Sequence, residues 1–315
     1  MNDSVLVLSI ASAIVAGTPI LLASLGEIVT ERAGVMNLGV EGMMLVGAVV
    51  GFWCGVHTGN LTLSLVVGGL AGAALSLVHA VLAITLRVNQ TVSGLSLVIV
   101  GSGLSAFLGA AGETSLLERP NGVDVDPLLP SALADLPVAG PIVFGHDAVV
   151  YVAIILVAVT ARLLYHSAAG LSLRAVGEDP AAADAAGLHV VRIRYLATAI
   201  GGFGAGVGGA YLVLAVLGTW QTGMTAGAGW IAVALVILAG WRPWLALAGA
   251  YLFGALRGLG FTLQIAQVDV PSDFLTMIPF VAAYLVVIAV SASPTRARKV
   301  AAPAALGTPY RREER

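Results

Sequence analysis

The stretch GEIVTERAGVMNLGVEG, residues 26–42, sets Glu27, Glu31, Arg32, Asn37 and Glu41 between two strongly apolar runs. Asn37 and Glu41 are four apart, so on a helix they share one face. An amide and a carboxyl group so placed can hydrogen-bond a sugar hydroxyl or a base edge, and can equally bridge to a neighbouring helix. Glu27 and Glu31 form a like-charge pair at the same spacing, with Arg32 placed to relieve it. A second cluster, VNQTVSGLS (88–96), follows Arg87 and brings Asn89, Gln90, Thr91 and Ser93 together. They read either as a wetted helix start capped by Thr91 or Ser93, or as lining for a polar path. A third, TWQTGMTAGAGW (219–230), is Gly-rich. The five histidines are scattered without metal-ligand spacing, and the lone Cys54 sits in an apolar run. The acids are dispersed rather than clustered, which argues against an intramembrane enzyme. We expect no catalytic residue, no metal and no cofactor.

These residues sit in an unusual chain. It is 58% hydrophobic and 10% charged, with a mean hydropathy of +0.97. A soluble domain carries about 25% charged residues, so the bilayer is the expected solvent. A net charge of −2 gives no basic field for nucleic acid. The fold class is all-α: a polytopic helical bundle with nine spans near 5–24, 35–55, 61–86, 92–111, 147–165, 195–217, 226–240, 244–265 and 274–291. A charge in hydrocarbon costs at least about 2.5–3.5 kcal/mol. Residues 26–34 therefore admit two arrangements. Either Glu27, Glu31 and Arg32 end the first span at a wetted interface, or the chain breaks there around Gly26, Gly34, Gly39 and Gly42 and lines a polar path. Arg257, in the eighth span, needs a partner or a route to the interface.

Lys and Arg placement sets the expected orientation. The segment 166–194 and the tail after Ser293 hold most of the basic residues, and the acidic loop 112–146 holds only Arg119. This puts the N-terminus and 112–146 outside, and 166–194 and the C-terminus in the cytoplasm. The domain organisation is a membrane domain, 1–293, and a basic tail, 294–315, whose Pro-, Ala- and Arg-rich composition predicts disorder. GGLAGAALS (68–76) and GGFGAGVGGA (201–210) read as close helix contacts. Trp220, Trp230, Trp241 and Trp244 read as interface anchors. In GLSLRAVGEDPAAADAAGLHVVRIRYLATAIGG (170–202), Asp179-Pro180 starts a short helix near 180–186 and Gly187 stops it. Its small Ala face suits a groove on another protein, and the helix reads equally as an inert connector.

LRAVGEDPAAADAAGL (173–188) resembles the coupling segment of ATP-binding-cassette importer permeases of the branched-chain amino acid, simple sugar and nucleoside group. Leu173, Arg174, Ala175, Gly177, Glu178, Pro180, Ala181, Ala182 and Gly187 stand at pattern positions; Asp179 stands where Asn is common, and either residue caps. GEIVTERAGVMNLGVEGMMLVGA (26–48), VNQTVSGLSL, GWIAVALVILAGWRPWLALAGAYLFG (229–254) and FLTMIPFVAAYLVV (274–287) are similar to the nucleoside-type subunits. The resemblance implies a transport subunit, not an enzyme, in a bacterial plasma membrane. It implies ATP-binding subunits docked on 170–190, a second permease chain in a heterodimer and an extracytoplasmic substrate-binding protein. It also implies that Asn37 and Glu41 border the path for a nucleoside, with simple sugars as the alternative cargo. An ion-coupled carrier using Glu41 or Arg257 is a third reading, which a docking helix disfavours.

Overall fold

The computed structural model describes residues 3–110, 115–117, 119–120, 122–134, 136–265, 271–291 and 301–311. Among these the chain is helical, and its only extended pairing is an isolated bridge between Leu117 and Trp220. The helices are α1 (Asp3–Arg32), α2 (Val40–Thr58), α3 (Leu61–Ala80), α4 (Gln90–Ala110), α5 (Ser131–Ala134), α6 (Ala148–His166), α7 (Ala168–Glu178), α8 (Pro180–Ala185), α9 (Val190–Tyr211), α10 (Ala228–Leu238), α11 (Pro243–Ile265) and α12 (Ser272–Ser291). Short π-helical turns extend α3 over Val81–Thr85 and α9 over Leu212–Val216. Each of the nine expected spans coincides with a helix. Among the described residues, six helices are long and apolar enough to cross a membrane.

Helix α10 is different. Its 11 residues reach about 16 Å at 1.5 Å per residue, roughly half of a 30 Å hydrocarbon layer. It nevertheless lies in the core, where Ile231, Ala232 and Leu235 pack with Ile20, Leu21, Met43 and Phe253. Its first residues are buried inside the bundle rather than at an interface.

The glycine-rich runs pack as their spacing suggests. A Cβ on Gly47 of α2 would collide with the backbone of Gly206 on α9, and one on Gly206 would collide with Gly68 on α3. Helices α2, α3 and α9 thus touch backbone to backbone, as small residues permit in membranes. Gly26 of α1 meets Gly201 of α9 in the same way.

Three expectations are corrected. Helix α1 runs unbroken through Arg32, so the chain breaks at 33–39, after the charged residues and not among them. Trp220 and Trp241 are buried, Trp220 against Gly109 and Trp241 beneath α1, so neither is an interface anchor. Residues 301–311, inside the tail expected to be disordered, pack against the end of the bundle that carries Arg32, α7 and α8. Residues 294–300 and 312–315 lie outside the described set.

The triple contact predicts that Gly206→Val, which inserts a branched side chain between α9 and α3, costs about 1–3 kcal/mol or more. The thermal midpoint of the detergent-solubilised protein should fall clearly; an unchanged midpoint would contradict the backbone contact.

Candidate translocation site and coupling face

The break between α1 and α2 begins where Gly34, at φ +83°, turns the chain back. A left-handed turn of this kind suits glycine, which has no Cβ to clash. The returning segment is held by side chains from three helices. Gln90 Oε1 of α4 accepts from the Met36 N–H at 2.7 Å. The ring of His79 on α3 bridges Ser93 Oγ at 2.9 Å and the Met36 carbonyl at 3.0 Å. Asn37 donates to Glu27 Oε2 at 3.0 Å and accepts from the Gly39 N–H at 3.0 Å. Irregular backbone in a membrane protein persists only where such partners replace water.

Glu27 and Glu31 of α1 are therefore not wetted. Glu27 is 0% exposed and Glu31 2%. Glu31 Oε2 accepts from the Trp241 indole at 2.5 Å. Arg32 does not relieve a pair of carboxyl groups; it donates to the Gly240 carbonyl at 3.3 Å and lies over the Trp241 ring. Trp241 itself has φ +55°, a costly conformation for a bulky residue. The indole bond, the cation above it and a hydrogen bond from Tyr165 Oη to its carbonyl hold it there. Glu27 Oε1 is buried and takes no hydrogen bond among the described residues.

Glu41 serves a separate place. Its Oε1 accepts from Thr225 Oγ1 at 2.6 Å and the Gly227 N–H at 3.0 Å; its Oε2 accepts from the Gly229 N–H at 2.7 Å. These N–H groups open α10. The first turn of any helix leaves its N–H groups without intrahelical partners, and a carboxyl group there also meets the positive end of the helix dipole. Here the capping residue comes from another helix. Gly229 is required, since a Cβ there would press on the Glu41 backbone at 2.5 Å. Arg257 of α11 is close enough to Glu41 to interact electrostatically, the charged neighbour its position called for.

The sequence-derived path residues thus divide. Asn37, Gln90 and Ser93 gather at the break and are buried. Asn89 and Thr91 are exposed at the start of α4, where Asn89 Oδ1 accepts from the Val92 N–H at 3.1 Å. Asn37 and Glu41 do not share a helical face, because Asn37 precedes α2. Sequence reading missed His79, Trp241 and Thr225. His79 carried a usable signal, as a polar ring inside an otherwise apolar run. Trp241 and Thr225 carried none, since their partners are some two hundred residues away.

At the Arg32 end of the bundle, α7 and α8 form a bent pair. Asp179 Oδ1 accepts from the Ala181 and Ala182 N–H groups at 3.0 and 2.9 Å, and Pro180 is the first residue of α8. Gly187, at φ +89°, ends it. Ala183 faces inward onto Val176 and Val190, whereas Ala181, Ala182, Ala185 and Ala186 are exposed. Arg174 lies over the Tyr165 ring. Gly177 packs so closely on the Arg32 carbonyl that a Cβ would not fit. The last turn of α7, which leads into α8, is thereby joined to the end of α1, immediately before the break.

Removing the shared cap should loosen α10. Glu41→Ala leaves buried donors unpaired and is expected to cost at least about 1–3 kcal/mol, read as a lower thermal midpoint. Glu41→Gln keeps one acceptor oxygen and should lose less. A Glu41→Ala protein as stable as the parent would refute the cap.

Comparison with known proteins gives a consistent picture. The profile of the family described as branched-chain amino acid transport system / permease component matches residues 9–290. The chain is 32% identical to the guanosine ABC transporter permease protein NupQ of Bacillus subtilis, over 98% of each chain. It is 33% identical to the nucleoside ABC transporter permease protein NupC of Lactococcus lactis, over 86% of this chain and 88% of that one. It is 44% identical, over 79% of this chain and 75% of the other, to a Haloferax volcanii protein provisionally named as the glucose ABC transporter permease TsgC13. No solved structure matches. With most of its length matched by the profile and by these relatives, this membrane-embedded chain belongs to the branched-chain amino acid transport system / permease component family.

Proposed function

We propose that this chain is the membrane-spanning subunit of an ATP-driven importer in the plasma membrane, and that it carries nucleosides inward. The observation that carries the reading is the capped, Ala-faced helix α8, exposed at one end of the bundle and joined through the last turn of α7 to the end of α1. A helix of six residues with small exposed side chains does little for its own fold. It has the shape of a key for a groove on an ATP-binding subunit. The basic residues around it support a cytoplasmic position for that end; on this reading the N-terminus and the 112–146 loop lie outside, where a substrate-binding protein delivers cargo. A second, different permease chain completes the path.

Movement pressed on α8 passes through Gly177 to Arg32 and Gly34, and so to the break that Asn37, Gln90, His79 and Ser93 hold. In this scheme Asn37, Gln90 and Ser93 set the position of the break, and Glu41 anchors α10 beside it. The exposed Asn89 and Thr91 face the path near its cytoplasmic mouth. Cargo of this class presents ribose hydroxyls and base edges, which such amide and hydroxyl groups can hydrogen-bond in passing. The guanosine-named relative supports the nucleoside reading because it aligns along nearly the whole chain. The glucose-named relative supports a second reading, simple-sugar import, by its higher identity.

Uptake of labelled guanosine and of labelled glucose, in cells with and without the chain, separates the two. Gene-dependent guanosine uptake that stops when ATP is depleted at constant membrane potential is the expected result. Gene-dependent glucose uptake with no guanosine uptake would transfer the cargo to sugars, and uptake surviving ATP loss would overturn the ATP-driven reading. On the same reading, Ala182→Arg should abolish retention of the ATP-binding subunit during purification without unfolding the bundle. Undiminished retention would remove α8 from the docking role.

A further inference from the structure

Residues 301–311 make a set of contacts that neither the family match nor the proposed transport function calls for; the family profile ends at residue 290. The Ala305 N–H donates to the Gly177 carbonyl at 2.9 Å, at the last turn of α7. The Ala304 N–H donates to Glu178 Oε2 at 3.2 Å. Arg194 of α9, which is almost wholly buried, donates from Nη1 to the Thr308 carbonyl at 3.3 Å and from Nε to the Ala33 carbonyl at 3.2 Å. Leu306 packs with the cluster that contains Ile28, Val29, Ala33 and Trp241. Tyr310 packs with the cluster of Val176, Ala183 and Val190, which lies under the inward face of α8. Gly307 rests on Met36, in the break itself.

The geometry of these contacts matters more than their number. The segment touches α7, the underside of α8, α9, the end of α1 and the break, and it leaves the outer Ala face of α8 uncovered. A segment that blocked docking would lie on that face. This one lies behind it and ties it to the helices that must respond. On the segment's own side the anchors are backbone N–H and C=O groups, which bond the Gly177 carbonyl and the side chains of Glu178 and Arg194. Without the segment, α7 would keep its packing on α6 and α1 through Gly170, Leu173 and Gly177, whereas α8 would hold to the bundle through Ala183 against Val176 and Val190 and the short turn into α9, leaving α8 free to rock on that joint.

We infer that residues 301–311 are a strap that makes α8, Arg194 and the end of α1 move as one body, so that ATP-driven displacement of α8 reaches the α1–α2 break instead of being absorbed by the joint. The strap acts through α8 and rests on the proposed docking role of that helix. Its residues are positioning residues and touch no cargo.

The test uses the full complex in proteoliposomes, with ATP hydrolysed per labelled guanosine or glucose taken up as the readout. A chain ending at Val300 should still retain its ATP-binding subunit and hydrolyse ATP, while the ratio of hydrolysis to uptake rises at least five-fold. Ala305→Pro, which deletes the N–H that bonds Gly177, should move the ratio the same way to a smaller extent, and decides the matter if the shortened chain does not assemble. Hydrogen exchange over residues 175–188 should quicken in both. An unchanged ratio overturns the strap even if exchange quickens, because the segment is then packing alone. Ala182→Arg in the full-length chain separates the two claims. If it releases the ATP-binding subunit while the shortened chain keeps its ratio, only the strap fails. If it leaves that subunit bound, the docking reading fails and the strap falls with it.

Discussion

A helix that begins inside a protein core exposes N–H groups that water cannot reach, and in this chain the carboxyl group of Glu41 satisfies them. Three donors from residues 225–229 converge on its two oxygens. Without an acceptor of that kind α10 could not start where it does, because unsatisfied backbone donors in a low-dielectric interior are costly. Much follows from that placement. A short α10 leaves the segment before it irregular, permits Trp241 to turn back beneath α1, and gives Glu31 its indole donor. The first and second halves of the sequence are stitched together by polar bonds at buried positions, and the apolar packing closes around them.

Two kinds of contact then divide the labour. Helices α2, α3 and α9 meet largely through glycine backbones, and the side chains between them, such as Phe203 and Ser76, are seated directly on glycines. Such an interface is stiff. By contrast, the α1–α2 break is held by side chains: an amide, an imidazole, a hydroxyl and a carboxyl group. Hydrogen bonds of this sort can be exchanged for others at modest cost. The stiff block and the adaptable break lie side by side, and the end of α1 reaches from the break to α7 and α8.

The parts of this arrangement that could be read from the amino acids are the local ones. Apolar runs, Gly spacing, the Asp179-Pro180 start and the Gly187 stop each act within a few residues, so α8 and the nine apolar helices were legible. The fate of Glu27, Glu31 and Trp241 was not. A buried acid and an exposed acid look alike until the donor is known, and the donor for Glu31 lies 210 positions away. Asn37 and Glu41 misled for a related reason. Their four-residue spacing implies a shared face only if both are helical, and the tertiary demand for a break overrode the local pattern. Residues 301–311 misled because the tail's composition lacks an apolar face of its own; their packing comes from polar partners and apolar surface that other elements supply.

The distance in sequence between Glu41 and its donors also bears on how the protein is made. The Asn37–Glu27 bond closes within ten residues and can form as the first helical pair leaves the ribosome. Glu41 must wait for Thr225, 184 residues later, which at about 5–20 residues per second is roughly 10–40 s of synthesis. During that interval α2 carries an acidic group whose partners have not been translated. The polar seating of Glu41 is therefore a late event, timed by the arrival of α10 rather than by the hydrophobicity of α2.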